Sequence, residues 1–406
     1  MKDNPQDTPP SSLNGDEISG MEDEMYMFEE VEEIDLDDDE EFMETEDDDT
    51  EYEEKEPPAE HATLVFNKHV GSVFCCDIHP DGKLAATGGE DDVAFVWSLE
   101  NGQMMMKCTG HKDSIVCIGF SFDGAYLATA DMAGHIKVWK VNTDSYQEQP
   151  WPVVFEYDTD DISWGQWHFG TRVLLIGVEK GDIYVFKIPT GDTKILQGHN
   201  IKVECGKLLN DGVRLVVGYE DGAVKTWDLK TCTVVNQIPA NVHQIRVTAV
   251  DTHPEGNLVA SISTDGKVVM STSSNGKVVG QMEVGKDLET VAFSQDPPGF
   301  YALGTLNGDI SIWDAARQMM RIHCSKANQE AGVTKMIWIK NHLITGLLDG
   351  SIRVFESLTG EITKTLTGHR SAILDLCYNA KKNVIMTTSD DGTARIFEYE
   401  INKDNN

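Results

Sequence analysis

The sequence predicts an all-β fold made of eight consecutive repeats. From residue 61 onward, the same pattern recurs eight times: a turn, then alternating apolar residues, then usually an aromatic. The eight copies of this pattern end at positions 97, 139, 186, 227, 271, 313, 355 and 397. Within each period, short runs alternate between apolar and polar residues with period two, as half-buried β-strands do. No stretch keeps a helical period, so we predict a repeated β array.

The repeats lie 41 to 47 residues apart, and repeat two shows their internal order most clearly. It has one apolar run at 115–120, a turn at 121–124, a second run at 126–130 and a third at 135–139. Only repeat five lacks the terminal aromatic, because Ser271 occupies that position.

The N-terminal strand is expected to close the array. Residues 62–69 align with the segment that leads into the last repeat, residues 361–369. The chain ends nine residues after Phe397, which leaves no room for another full outer strand. A strand near residue 64 would then complete the last sheet and remove two open sheet edges. We predict one domain at 61–400 and a short C-terminal tail at 401–406.

Residues 1–60 are predicted to be a disordered acidic tail. They hold 27 of the 69 acidic residues and only two lysines, which gives this segment a net charge of −25. Such a segment repels itself and buries too little apolar surface to fold alone. Apolar side chains such as Phe28 and Ile34 are interleaved with the carboxylates. Two interpretations stay open: a solubilising arm, or a docking segment that folds on a basic, grooved partner.

Two short dipeptides recur in phase with the repeats. Gly-His stands near the start of three periods (110–111, 198–199 and 368–369), and Trp-Asp near the end of two (227–228 and 313–314). With a spacing near 42 residues, the array resembles the WD40 repeat. The resemblance implies an eight-bladed WD40 β-propeller, whose blades are four-stranded sheets around a central channel.

The resemblance also implies that a His, a Ser or Thr, an Asp and a Trp form a hydrogen-bonded set within a blade. The matching residues are His69, Thr87, Asp91 and Trp97 in repeat one; His111, Thr129 and Trp139 in repeat two; His199, Asp221 and Trp227 in repeat four; and His369, Thr387 and Asp391 in repeat eight. Repeat two has Ala133 where the Asp is expected. A His beside an Asp also suggests catalysis, but its repetition in one slot favours a structural role.

Composition excludes several classes of function. The formal net charge of −36 makes direct nucleic-acid binding unfavourable and favours basic protein partners. No run approaches about 18 consecutive apolar residues, so membrane insertion is not expected. The N-terminus has no apolar region of a secretory signal. We expect a protein of the cytoplasm, with the nucleus as a second location.

The motifs of catalysis and metal binding are missing from the sequence. The eight cysteines include no Cys-x-x-Cys pair, so they predict reduced thiols rather than a zinc site, which needs about four converging ligands. No phosphate-binding loop, nucleophile elbow or His-Glu-x-x-His motif is present. We therefore expect no enzymatic activity, no metal and no cofactor.

The resemblance implies a peptide-binding surface around the channel entrance. It is lined by the residue before each blade Asp and by residues three and five beyond each His. The acidic candidates are Glu90, Asp161, Glu179, Glu204, Glu220, Asp287, Glu289 and Asp390, with Phe74 and Trp164 as aromatic candidates. A negative ring would focus the field on the mouth and capture a basic segment, with the aromatics adding cation–π contacts. The alternative is that so acidic a chain carries acids everywhere.

An acidic tail followed by eight repeats resembles the angio-associated migratory cell protein family, and residues 73–80 and 110–115 are matching stretches. The resemblance implies a dedicated chaperone, because the fungal relative in that family binds the N-terminal segment of a basic large-subunit ribosomal protein. Two alternatives are a scaffold in cell migration and signalling, and a ubiquitin-ligase substrate receptor. The last is disfavoured because Arg317 stands one residue late after Trp313 and Asp314. A closed propeller has no edge demanding a partner, so a monomer is expected.

Overall fold

The ring is built from eight antiparallel sheets of four strands each within the residues that the computed structural model describes, which are 58–142, 151–239, 241–285, 287–324 and 331–399. Seven of these sheets follow the chain order, with the first strand innermost. The inner strands of consecutive blades pack side by side, and the last contacts the first. The predicted all-β, eight-bladed propeller is therefore confirmed.

The described strands begin with β1 (Leu64–Phe66), which belongs to blade eight. Blade one contains β2 (Val73–Ile78), β3 (Leu84–Gly89), β4 (Ala94–Ser98) and β5 (Met104–Cys108). Blade two contains β6 (Ile115–Phe120), β7 (Tyr126–Asp131), β8 (His135–Lys140) and β9 (Val153–Asp158). Blade three contains β10 (Ile162–Trp167), β11 (Val173–Val178), β12 (Ile183–Lys187) and β13 (Asp192–Leu196). Blade four contains β14 (Val203–Leu208), β15 (Arg214–Tyr219), β16 (Val224–Asp228) and β17 (Thr233–Gln237).

The second half of the ring repeats this order. Blade five contains β18 (Val247–Thr252), β19 (Leu258–Ser263), β20 (Lys267–Thr272) and β21 (Val278–Glu283). Blade six contains β22 (Leu288–Phe293), β23 (Phe300–Thr305), β24 (Ile310–Asp314) and β25 (Met319–His323). Blade seven contains β26 (Val333–Ile339), β27 (His342–Leu347), β28 (Ile352–Glu356) and β29 (Ile362–Leu366). Blade eight contains β30 (Ile373–Asn379), β31 (Val384–Ser389) and β32 (Ala394–Glu398), completed by β1.

Each blade packs between two neighbours, so its middle strands are buried on both faces. All six residues of β3 are buried, for example, and the small side chains of Ala85 and Ala86 suit that position. The outer strands face solvent and alternate less strictly; four of the five residues of β13 are exposed. The hydrophobic core is therefore a ring of clusters between blades rather than one central core.

The N-terminal strand closes the ring, as the sequence predicts. β1 pairs antiparallel with β32, with Leu64 opposite Ile396 and Phe66 opposite Ala394. Phe66 is 2% exposed and stacks on Trp97 of blade one, with ring centroids 4.9 Å apart. The strand from blade eight is thereby pinned to the first blade.

Most of the predicted tail at 1–60, and the predicted C-terminal tail at 401–406, lie outside the described residues. Residues 58–60 are described, and two of them, Ala59 and Glu60, contact the propeller. The carbonyl of Ala59 accepts the Thr367 hydroxyl at 2.7 Å, and Glu60 pairs with Arg395 at 3.2 Å. Ala59 and Glu60 are thus joined to blades seven and eight.

All eight inner strands share one irregularity. In each blade the pairing of the first and second strands shifts register one residue after the inner strand begins. A bulge of this kind increases the local twist and changes the direction of nearby side chains. The eight bulges lie at the end of the channel where the inner strands begin, and we call that end the mouth.

Candidate functional site

The hydrogen-bonded set of blade one is present except for its tryptophan. His69 Nδ1 donates to Asp91 at 3.0 Å, and its Nε2 lies 2.9 Å from the Thr87 hydroxyl. The indole Nε1 of Trp97 is buried and has no hydrogen-bond partner among the described residues. Trp97 departs from the expected set because its ring stacks on Phe66 of the closing strand instead.

In blade two, the carboxylate comes from a residue that the sequence interpretation overlooked. Ala133 does occupy the position of the expected Asp, but Asp131 at the end of β7, two residues earlier, supplies the carboxylate and accepts from His111 Nδ1 at 3.1 Å. The Thr129 hydroxyl lies 2.8 Å from His111 Nε2 and accepts the indole N–H of Trp139 at 3.0 Å. Burial lowers the pKa of His111 to about 4, although Asp131 opposes this, so the ring is neutral at pH 7.

Blade four replaces the missing hydroxyl by a tyrosine. Val217 occupies the expected hydroxyl position, and the indole of Trp227 donates instead to the Tyr219 hydroxyl at 3.1 Å. His199 Nε2 lies 2.9 Å from Asp221, and the His199 ring packs edge-on against Tyr219. Blade four therefore keeps a hydrogen-bonded set, in which a tyrosine hydroxyl accepts from the tryptophan in place of a Ser or Thr hydroxyl.

Blade eight carries the most highly charged set. His369 contacts Asp391 at 3.1 Å and the Thr387 hydroxyl at 2.8 Å, and Arg395 donates to Asp391 at 3.0 Å. Burial opposes ionisation of Asp391, but the hydrogen bond and charge of His369 and the Thr393 hydroxyl hold its pKa well below the usual range. These groups are buried or nearly so, which indicates that they hold the blade together.

A further member in blade five was missed from the sequence. His243 Nε2 lies 2.8 Å from the Ser261 hydroxyl, 18 residues further along the chain. The same spacing of 18 separates His69 from Thr87 and His369 from Thr387. This constant spacing is the sequence signal that would have identified His243.

The two classes of predicted mouth residues lie side by side. Seven blades share one backbone hydrogen bond at the mouth. The donor is the N–H of the residue before the blade Asp, or before the residue that replaces this Asp. The acceptor, 2.9–3.0 Å away, is the carbonyl of the residue that precedes an inner strand. The donors around the mouth are Glu90, Met132, Glu179, Glu220, Leu306, Leu348 and Asp390. All seven side chains are exposed. The repeat thus presents a ring of side chains at the mouth.

Glu90 and Asp390 form a carboxylate pair that one serine holds in place. Ser72 donates its N–H to Glu90 Oε2 at 3.0 Å and its hydroxyl to Asp390 Oδ1 at 2.6 Å. Ser371 donates its hydroxyl to Asp390 Oδ2 at 3.0 Å. A carboxylate has about four acceptor sites, so both groups keep capacity for an ammonium or guanidinium ion. The pair joins blades eight and one, and sequence reasoning did not predict these serine bonds.

The remaining acids of the ring differ in how far they are neutralised. Glu179 pairs with Lys202 at 3.1 Å, while Glu220 and Asp161 are exposed and have no ion pair among the described residues. Asp287 accepts from the Asn307 amide at 3.3 Å and has a positive φ of 63°. Lys202 therefore neutralises Glu179, while Glu220 and Asp161 keep their charge unpaired within the described residues.

Glu204 and Glu289 lie deeper, at the second residues of β14 and β22. Burial raises the pKa of Glu289, and the charge of Glu204 raises it further, while Arg246 and Lys335 oppose the shift. These side chains from four blades interact electrostatically, which indicates that they face the same channel.

The aromatic candidates occupy different environments. Phe74 is half-buried at the second position of β2, the position that Glu204 and Glu289 occupy in their blades. Trp164 packs over Gly206 of the next blade, where a Cβ would lie 2.8 Å from the indole ring. Trp164 therefore fills space between blades three and four and presents only part of its ring to the mouth.

Within the described residues there is no group of three or more His, Cys, Asp or Glu side chains arranged to hold a metal ion. The same residues include no helix of the length and apolarity that a membrane crossing requires. All eight cysteines are unpaired, and burial raises the pKa of Cys117 to about 12, so this thiol stays protonated at neutral pH.

Fungal proteins share this architecture. The ribosome assembly protein SQT1 of Saccharomyces cerevisiae is 23% identical over 380 residues, covering 83% of this chain and 86% of that protein. A solved structure of Chaetomium thermophilum Sqt1, bound to the N-terminus of the ribosomal protein L10, superposes with a TM-score of 0.77 at 22% identity. That match covers 84% of this chain and 100% of the solved chain. Likeness at this level shows the fold.

Nearer relatives show the family. The family model of the WD domain, G-beta repeat, matches residues 61–98, 102–140, 235–278 and 360–398. The angio-associated migratory cell protein of Homo sapiens is 35% identical over 353 residues, which cover 82% of this chain and 79% of that protein. With its WD40 repeats, its eight blades and this identity over most of both chains, the protein belongs to the angio-associated migratory cell protein family.

Proposed function

We propose that this protein is a non-enzymatic chaperone that captures a basic segment of a large-subunit ribosomal protein at its mouth. The observation that carries the proposal is the carboxylate pair of Glu90 and Asp390, which Ser72 holds at the surface before any ligand arrives. SQT1 of Saccharomyces cerevisiae is a ribosome assembly protein, and the solved complex of Chaetomium thermophilum Sqt1 with the N-terminus of L10 supports the same class of partner.

The proposed mechanism is electrostatic. The exposed acids at the mouth substitute for the ribosomal RNA phosphates that the client later meets, and they shield its cations until delivery. Capture of this kind is fast and sensitive to salt, because exposed charges are screened over about 8 Å at physiological ionic strength. We place this activity in the cytoplasm and the nucleus and assign it to the monomer, since β1 completes blade eight and leaves no blade with a missing strand for a partner chain to supply.

Charge reversal at the mouth tests the proposal. The triple variant Glu90→Lys, Glu220→Lys, Asp390→Lys should lose at least about 30-fold in affinity for a Lys/Arg-rich peptide, because three attractions become repulsions and close charge pairs across an interface couple by about 1.5–7 kcal/mol. The measurement is a titration of the full-length chain with a fluorescently labelled peptide, followed by anisotropy.

The matched control reverses the same number of charges elsewhere. Glu100, Glu255 and Glu398 are exposed and have no ion pair among the described residues. Their triple Lys variant carries the same change in net charge and should bind the peptide within a few-fold of the wild type. Equal losses in both variants would show that total charge, rather than the mouth, determines binding, and would contradict the proposal.

A second candidate function is a scaffold in cell migration and signalling, and the identity to angio-associated migratory cell proteins favours it. Affinity purification of the full-length chain followed by mass spectrometry separates the two candidates. A stoichiometric ribosomal protein supports the chaperone, and stoichiometric adhesion or signalling proteins in its place support the scaffold.

A further inference from the structure

The ring at the mouth is not acidic throughout. In blades six and seven, the positions equivalent to Glu90 and Asp390 are leucines, and these are substantially exposed: Leu306 at 39% and Leu348 at 44%. Exposed leucines are ordinary when scattered singly. Here two of them stand at equivalent positions in adjacent blades, next to the carboxylate of blade eight, whereas the other apolar member of the ring, Met132, stands alone in blade two.

The two leucines flank a residue without a side chain. Gly332 precedes the inner strand of blade seven, and its carbonyl accepts the N–H of Leu348 at 2.9 Å. A Cβ at position 332 would lie 2.3 Å from the Leu306 carbonyl oxygen and 2.7 Å from Leu348 Cδ1. The backbone of Gly332 therefore forms the floor between them. We call Leu306, Gly332 and Leu348 the apolar notch.

The notch is continuous with the carboxylate pair. A Cβ on Gly350, two residues beyond Leu348, would lie 2.7 Å from the carbonyl oxygen of Ser371. The hydroxyl of that serine donates to Asp390 at 3.0 Å, and Ser72 then links Asp390 to Glu90. The backbone beside Leu348 thus approaches Ser371, and hydrogen bonds lead from that serine to the two carboxylates, across blades seven, eight and one.

We propose that the apolar notch binds a bulky apolar side chain of the same basic segment that the carboxylate pair captures. The inference rests on the proposed function and makes the client class specific: a segment that carries a Phe, Tyr or Leu a few residues from its Lys or Arg side chains. The neighbouring carboxylates supply the charge complementarity. A second copy of this chain is a poor occupant, because two leucines are far short of the about 800 Å² that each partner buries in a stable interface.

Two synthetic peptides test the proposal on the full-length chain. Both are rich in Lys and Arg, and they differ at one position, where one has Phe and the other Ser. Further pairs of the same kind place this position elsewhere along the peptide. At the best position, the Phe peptide should bind about tenfold more tightly, as expected for partial burial of one apolar side chain. Salt should weaken both peptides and leave their ratio nearly unchanged.

Variants assign this preference to the notch. The double variant Leu306→Ser, Leu348→Ser should bind both peptides equally, at the affinity that the wild type has for the Ser peptide. Leu306→Met, Leu348→Met should keep the preference. The control Met319→Ser, Leu358→Ser changes two side chains that are each 60% exposed elsewhere, and it should also keep the preference.

The outcomes separate the two proposals. Equal binding of the Phe and Ser peptides by the wild type would overturn the notch and leave capture of basic segments standing. A preference that survives Leu306→Ser, Leu348→Ser would likewise overturn it. If neither the Phe peptide nor the Ser peptide binds, the proposed function is overturned, and the notch with it.

Discussion

Asp77 is a carboxylate in the channel wall. Its pKa shift changes the stability of the fold with pH in the direction opposite to that of two buried histidines. It accepts the N–H of Ile78 at 2.8 Å and that of Phe120, in the next blade, at 2.7 Å. Burial raises its pKa to about 7 although these donors lower it, and the charge of Asp375 raises it further. Burial lowers the pKa of His111 and of His243 to about 4.

These shifts act on stability with opposite signs. Between pH 4 and 6.5, the unfolded chain binds protons at His111 and His243 that the folded chain does not, so stability falls as the pH is lowered. In the same window the folded chain keeps a proton on Asp77 that the unfolded chain releases near pH 4, which has the reverse effect. The three groups together leave a net loss of stability in acid.

Asp77→Asn should therefore steepen the acid loss of stability. Without the opposing proton, the slope of the unfolding free energy between pH 5 and 6.5 should rise by up to about 1.4 kcal/mol per pH unit. Urea unfolding at several pH values measures this slope. An unchanged slope would contradict the assignment of Asp77, whatever the variant does to stability at a single pH.

At this scale, the sequence predicts residue types better than bonding partners. The slots of His69 and His369 follow from the repeat, and the structure places their Asp and Thr partners in contact. Asp131 was missed because it lies two residues before its expected slot, at the end of a strand. The unpaired indole of Trp97 could not be foreseen, since its ring stacks on Phe66 of β1, a strand that belongs to blade eight rather than to blade one.

The second strand of a blade approaches the inner strand of the next blade closely where that second strand carries glycine. A Cβ on Gly88 would lie 2.4 Å from Ile115 of the next blade, and one on Gly177 would lie 2.7 Å from Val203. The same contact recurs where Gly218 meets Val247 and where Gly346 meets Ile373. The repeated glycine thus leaves room for a β-branched side chain of the following inner strand.

Gly218→Ala should destabilise the protein by about 1–3 kcal/mol, because the added methyl group overpacks this contact. It would stand 2.6 Å from Val247 Cγ1 and 2.8 Å from Cys205 Sγ. The control Gly170→Ala, in an exposed turn with neighbours no nearer than 3.8 Å, should change stability by less than about 0.5 kcal/mol. Urea midpoints compare the two, and equal effects would contradict the packing argument.

The periodicity of apolar residues predicts the strands because it reflects which face of each strand is buried. The prediction holds even where the terminal aromatic of a repeat is missing. Blade five forms although Ser271 replaces the aromatic, since Val268, Val269 and Met270 beside it are fully buried. The bulges of the inner strands are not visible in the periodicity, because one extra residue changes the register without changing the composition. The mouth geometry that depends on them therefore required the structure.

The whole ring depends on one short strand for its closure. Three residues, Leu64 to Phe66, complete blade eight, and the ring of Phe66 contacts Trp97 and Phe95 of blade one. The sequence predicted this closure because an incomplete last blade would leave two open edges. It could not predict these ring contacts, which join a strand of blade eight to the neighbouring blade one.

Phe66→Ala should destabilise the protein by about 3–5 kcal/mol, the usual effect of removing a buried aromatic ring. Val65 precedes it with 40% exposure, so Val65→Ala should cost less than about 0.5 kcal/mol. Equilibrium urea unfolding gives both values. A small effect of Phe66→Ala would mean that the closing strand is held by its backbone pairing alone.

The pairing of β1 with β32 also has a consequence during translation. The ribosome finishes β1 at Phe66 and begins β32 at Ala394, and at roughly 5–20 residues per second the interval is roughly 15 to 65 s. Blade eight is therefore the first blade to be started and the last to be finished. During its own synthesis, a protein that we propose binds newly made ribosomal proteins thus carries a closing strand whose partner strand is made last.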